Sequence, residues 1–183
     1  MRPVMNDAYL LLGSNIDAER NLPAAVAMLS KFGHIAGVSR VWQSAPVDGS
    51  AQPDFLNAAV LLRTPLPAAE LRLSVIDSIE TSLKRERDPN DKNAARTIDI
   101  DIVLFNREVA WVEHRRIPDP EIVSRVFALQ PLVDIAPDYV HPDTGVSLKR
   151  MLEDAAGVQE LRERGDVALT SGRGTTADAQ AES

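Results

Sequence analysis

Asp99 and Asp101 stand one residue apart in "RTIDIDIVLF" (Arg96–Phe105), a run otherwise made for burial by Ile98, Ile100, Ile102, Val103, Leu104 and Phe105. An unpaired buried carboxylate is costly enough that it would neutralise rather than stay charged. On a strand, side chains alternate faces, so the two carboxylates project together while the three flanking isoleucines face the core. Their Cα atoms lie about 6.5–7 Å apart, which lets both carboxylates converge on one or two hard cations. Magnesium takes oxygen ligands, usually one or two carboxylates with substrate phosphates and waters. By itself the pair fits a solvated sheet face equally well, salt-bridged to basic neighbours.

The segment just upstream supplies those neighbours. Between Lys84 and Arg96 there are five basic residues (Lys84, Arg85, Arg87, Lys92, Arg96) against three acidic ones. Carboxylates for magnesium beside arginines for phosphate oxygens are the parts of a phosphoryl-transfer site. A solvated charge run is the alternative reading of the same loop. Neither a "GxxxxGK[ST]" P-loop nor a kinase-type "GxGxxG" occurs, and "LLGSN" offers a single glycine. His34, His114 and His141 are scattered without HExxH spacing, which disfavours a zinc hydrolase.

The elements that must position these groups follow from periodicity. "AYLLLGSN" reads as a buried strand, and the stretch from Asn15 to Gly33 has helical spacing with Gly33 as its stop. Ile35–Trp42 alternates like one strand, Ser44–Asp54 is a Pro/Gly/Ser/Asp loop, and Phe55–Thr64 is the next strand. A helix follows from about Thr64 to Leu83, then the charged loop 84–95, the aspartate strand and a further strand near Val109–Val112. "IPDPEIVSRVFALQPLVDIAPDYVHP" reads as a short helix mixed with a Pro-bounded strand, and a last helix begins near Ser147. The order β-α-β-β-α-β is that of a ferredoxin-like α+β sandwich with a mainly antiparallel sheet. One domain is expected over 1–164. From Gly165 to Ser183 few large apolar residues remain, so a mobile tail is expected.

With 183 residues, 44% hydrophobic and 26% charged, the chain has the composition of a soluble globular protein. It has no apolar run of bilayer length and no signal-peptide pattern. It lacks cysteine and carries a net charge of −7. A cytoplasmic protein is expected, with no membrane or nucleic-acid partner, acting as a monomer or weak homo-oligomer on small anionic ligands.

"YLLLGSN", "APV…QPDFLNAAVLL", "IE…RER…ARTIDIDIVLF" and "IP…RVFALQPLVDIAPDYVHP" together resemble the 6-hydroxymethyl-7,8-dihydropterin pyrophosphokinase family over roughly Ala8–Leu152. The resemblance implies transfer of pyrophosphate from ATP to the pterin hydroxymethyl group in folate biosynthesis, with AMP released. It implies that Asp99 and Asp101 hold two magnesium ions on the ATP phosphates, and that Arg85 and Arg96 contact those phosphates with Arg87 close by. Asp77 and Glu80 would contact the nucleotide. Lys92, Ile102 and Arg125 are assigned to the same side. Asn57 would hydrogen-bond the pterin, Phe55 and Phe127 would sandwich it, and Ser44, Ala45 and Val47 would line its pocket. Without the resemblance, core packing is the simpler reading of the two phenylalanines. Loops 44–54 and 84–95 are the natural lids.

The chain also departs from the family pattern. Lys92, Asn93, Ala94 and Ala95 stand where the family usually reads Arg-Trp-Gly-Pro, Asp119 follows Pro118 where a histidine is usual, and Lys84 replaces a common glycine. A paralogue acting on another acceptor, or a non-catalytic pterin-binding module, are the rival readings.

Overall fold

The computed structural model describes residues 3–155, 157 and 159–170. The elements are β1 (Asn6–Ser14), α1 (Ala18–Leu29), β2 (His34–Val38), β3 (Trp42–Ser44) and β4 (Phe55–Thr64), then α2 (68–82) and β5 (Asp99–Phe105). A two-stranded hairpin follows, β6 (Ala110–Val112) with β7 (Arg115–Ile117). Then come a 3₁₀ turn (Ile122–Ser124), α3 (Val126–Ile135), α4 (Leu148–Ala155) and β8 (Arg162–Glu163). The main sheet runs β5-β1-β4-β3-β8, with β2 also on β4, and all its pairings are antiparallel. This is the ferredoxin-like α+β arrangement. Among the described residues no helix is long and apolar enough to cross a membrane.

Strand alternation divides the core in two. Leu10, Leu12, Ala58, Val60, Ile98, Ile100 and Ile102 face α1 and α2, where Leu22, Val26, Leu29, Leu71, Ile76 and Ile79 meet them. Leu11, Ala59, Val103 and Leu104 face α3 and α4 through Leu129, Leu132, Tyr139 and Leu148. The aspartates share this second face, at the end that α3 leaves open.

Four sequence expectations change. The single strand over Ile35–Trp42 is two strands, because the Ser39 hydroxyl accepts the Ala59 amide (2.7 Å) and breaks the run. Gly33 lies beyond the helix end, where a Cβ would sit 2.5 Å from the Arg63 carbonyl oxygen. The Pro-bounded strand expected within "IPDPEIVSRVFALQPLVDIAPDYVHP" does not form: Val126, Ala128, Leu129 and Leu132 are buried at helical spacing in α3, and Val140 makes only an isolated bridge to Ser147. A short apolar run fits either element until its packing partner is known. Finally, the stretch assigned to the tail is described from Gly165 through Thr170, and Val167 and Leu169 pack on the first core. Residues 171–183 lie outside the described residues.

Candidate active site

Register builds the floor of the site. Gly13 on β1 pairs with Asn57 of β4 on one side and with Asp99 of β5 on the other. One row thus carries an amide, a gap and a carboxylate, and the missing side chain keeps the space between them open. Asn57 is 4% exposed, and its amide nitrogen donates to the Ser44 hydroxyl (2.9 Å) and the Trp42 carbonyl (3.3 Å). Above this row lies a cavity of about 170 Å³, walled by Phe55, Phe127, Ser44 at the end of β3 and the loop residues Ala45 and Val47, with Arg96, Asp99 and Asp101 at one end. Two aromatic walls and a few directed polar groups suit a flat heteroaromatic ring.

On the other side of the aspartates an arginine-lined cleft of mixed charge opens, in two parts of about 520 and 620 Å³. Arg85 and Arg87 line both parts, while Lys92, Arg96, Asp99 and Asp101 line the nearer one and Asp77 and Glu80 the farther. Asp99 is gripped twice, by Arg85 Nη1 at Oδ1 and Arg96 Nη1 at Oδ2, each 2.8 Å. Arg96 is itself fixed by the carbonyls of Lys92 (2.6 Å) and Ala94 (3.1 Å), and its guanidinium lies 5.7 Å from the centre of the Phe55 ring. Among the described residues Asp101 has only Arg115 as an ion-pair partner, at 3.6 Å. Burial and the neighbouring Asp99 push its carboxyl up to about 7. A carboxylate so short of positive charge is a fitting ligand for a divalent cation. Among the described residues no group of three His, Cys, Asp or Glu could cage a metal, so a cation here needs phosphate oxygens or water to complete its shell.

Buried supports aim these groups. Glu80, 3% exposed, accepts the Ile100 amide at Oε1 (3.0 Å) and Arg87 at Oε2 (2.9 Å), tying α2 to the aspartate strand. Helix α2 closes with paired bonds from the Lys84 amide to the Thr81 carbonyl and from the Arg85 amide to the Glu80 carbonyl. This Schellman closure requires a left-handed residue, and Lys84 takes it at φ 60°. Chain reversal there delivers Arg85 to Asp99. Asn15 clamps the two loops: its amide nitrogen donates to Gln52 and Pro53, and its oxygen accepts the Arg96 amide. Gln52 in turn donates to the Asn93 carbonyl at 2.8 Å.

Comparison with known proteins bears directly on this geometry. A family model described as 7,8-dihydro-6-hydroxymethylpterin-pyrophosphokinase matches residues 9–137. The chain belongs to this family. The 2-amino-4-hydroxy-6-hydroxymethyldihydropteridine pyrophosphokinase of Bacillus subtilis (strain 168) is 41% identical over 133 residues, 71% of this chain and 78% of that protein. The bifunctional protein FolKE of Lactococcus lactis subsp. lactis (strain IL1403) is 40% identical over 134 residues, 72% of this chain but 38% of that protein. Among solved structures, wild-type HPPK-DHPS of Plasmodium falciparum with SDX-DHP superposes with a TM-score of 0.65 at 16% identity, over 84% of this chain and 45% of that one. That likeness speaks for the fold. The chain therefore spans most of a one-activity relative and less than half of the fused ones.

Most residues assigned from the pyrophosphokinase resemblance converge on the two cavities. Arg125 does not: it is exposed at the start of α3 and lines neither. Ile102 keeps its side chain in the core and borders only a recess of about 40 Å³. Glu80 spends both carboxylate oxygens on protein partners. Sequence reasoning missed Gly13, Asn15, Arg72 and Arg115. A glycine inside a strand was the available signal for Gly13; the other three acquire their place only through tertiary contacts.

Proposed function

We infer that this chain performs its family's reaction where the two cavities meet: pyrophosphate transfer from ATP to 6-hydroxymethyl-7,8-dihydropterin. The observation that carries the reading is the position of Asp99 and Asp101, which wall both the aromatic cavity and the arginine-lined cleft. An acceptor hydroxyl held between Phe55 and Phe127 thereby faces a triphosphate held by Arg85, Arg87 and Arg96. The hydroxymethyl oxygen attacks the β-phosphorus, the bond from that phosphorus to the α,β-bridging oxygen breaks, AMP leaves and the hydroxyl proton passes to water. Asp99 and Asp101 would hold two magnesium ions, whose role is to neutralise phosphate charge. Asn57 and the Ser44 hydroxyl fix the ring, and Phe55 and Phe127 exclude water from the acceptor face. Catalysis is mainly positioning and electrostatics.

The same reading has the chain act as a monomer or weak homo-oligomer in the cytoplasm. The departures from the family pattern fall mostly on the nucleotide side. Asp119 and Lys92 line the arginine-lined cleft and not the aromatic cavity, so they bear on ATP handling more than on acceptor choice. The test is AMP formation from ATP, magnesium and hydroxymethyldihydropterin. Wild type should form AMP and both Asp99→Ala and Asp101→Ala should lose it; turnover surviving in both variants would overturn the metal assignment.

A further inference from the structure

Helix α2 leaves α geometry over Leu71–Ile76, where the backbone makes a π turn. Such turns re-aim the side chains around them and recur at functional sites. Leu71, Val75 and Ile76 of this turn are buried in the core, and Arg72 is its one charged residue. The Arg72 side chain is only 15% exposed, and it borders the arginine-lined cleft. It lines both parts of that cleft and the small recess shared by Asp101, Arg115 and Asp119, but not the aromatic cavity. It therefore sits on the nucleotide side of the aspartates. The farther part of the cleft, beside Leu73 and Val112, has the apolar surface that a nucleoside needs.

Arg72 has donors to spare. A guanidinium carries five N–H groups, and the one side-chain hydrogen bond Arg72 makes among the described residues runs from Nη1 to Asp77 Oδ1 at 2.6 Å. Asp77 is also approached by Arg87 at 3.9 Å, but Arg87 has its closer partner in Glu80 at 2.9 Å, so Asp77 answers chiefly Arg72. The unused N–H groups of Arg72 line a cleft where Asp119 would otherwise repel phosphate. The loop 92–95 meanwhile offers Lys92 as its only cation.

We propose that Arg72 binds the α-phosphate of ATP and of the departing AMP, supplying from helix α2 a phosphate contact that loop 92–95 does not provide. The proposal rests on the pyrophosphokinase reading of the cleft. As the acceptor oxygen bonds to the β-phosphorus, the electron pair of the breaking bond stays on the α,β-bridging oxygen, and negative charge grows on the α-phosphate. A guanidinium at that phosphate makes charge-assisted, bidentate bonds that strengthen as the charge develops.

The experiment compares wild type, Arg72→Gln and Arg72→Lys by calorimetric titration with AMP and with hydroxymethyldihydropterin, alongside steady-state AMP formation. The glutamine variant should bind AMP about tenfold or more weakly, with the ATP KM rising in parallel, as expected for a lost charge-assisted contact. Pterin affinity should stay within about twofold, and lysine should restore part of the AMP affinity because the charge returns without the fork. Unchanged AMP affinity in Arg72→Gln overturns the proposal. So does a matched loss of AMP and pterin affinity, which would mean a distorted helix, and so does a wild type that binds no AMP. A wild type that binds AMP but forms none from ATP and pterin would instead sink the pyrophosphokinase reading, leaving the Arg72 contact to be judged by the titration.

Discussion

Asp101→Asn should stabilise the metal-free protein while abolishing its activity, and the gain should depend on pH. Burial and Asp99 raise the Asp101 carboxyl from 3.8 to about 7. That difference is about three units, and each unit corresponds to about 1.4 kcal/mol. Full ionisation of the buried carboxyl therefore costs about 4 kcal/mol by this measure, reduced to about 2 because a quarter of the side chain stays open to solvent that screens it. A carboxyl whose folded pKa lies above its unfolded value stabilises the fold fully below the unfolded value, and that contribution is lost as pH rises through the folded one. The asparagine variant should thus match wild type near pH 4 and gain progressively up to about pH 7, then level off. At about 2–4 °C per kcal/mol for a chain of this size, the midpoint should rise by about 4–8 °C at pH 8. Urea and thermal unfolding in chelator across this pH range read the effect directly. Adding magnesium and a non-hydrolysable ATP analogue should narrow the gap, since ligands that bind the native state stabilise it by mass action and wild type binds them better. A gain that is flat with pH, or a variant less stable at pH 8, would refute the argument that Asp101 is a charge-starved carboxylate.

Glu80→Ala should destabilise the fold by about 3–5 kcal/mol in urea unfolding, because it leaves the Ile100 amide and two arginines without their buried partner; Glu80→Gln, which keeps an oxygen for that amide, should lose less. Gly13→Val should fill the gap between Asn57 and Asp99, raising the pterin KM by about tenfold or more while leaving ATP binding intact, measured by calorimetry with each ligand. Lys84→Gly should raise stability by about 1 kcal/mol, read as a shifted denaturant midpoint, since the left-handed position ending α2 strains any side chain.

Some of this protein was written in local pattern. Alternation with period two placed Asp99 and Asp101 on one face and their isoleucines on the other, and the strand Phe55–Thr64 was read with the bounds the fold adopts. The basic run before Asp99 anticipated the arginines; the motif resemblance named the chemistry and the aromatic walls, which residue type alone reads as core packing. Other features needed the folded chain. The row Asn57–Gly13–Asp99 exists only because β1 pairs with both neighbours in one register, and register is a long-range property. Glu80 reads as a polar residue on an amphipathic helix until β5 docks beneath it and claims its carboxylate. Arg72 gains its place from a π turn that no propensity announces. The helix α3 was mistaken for part strand because its apolar run, broken by Pro131, fits either period. Local sequence sets which face a side chain prefers, since that follows from backbone geometry within a few residues. Which groups meet across that face is decided by strand pairing and helix docking, where contacts between distant residues outweigh local preference.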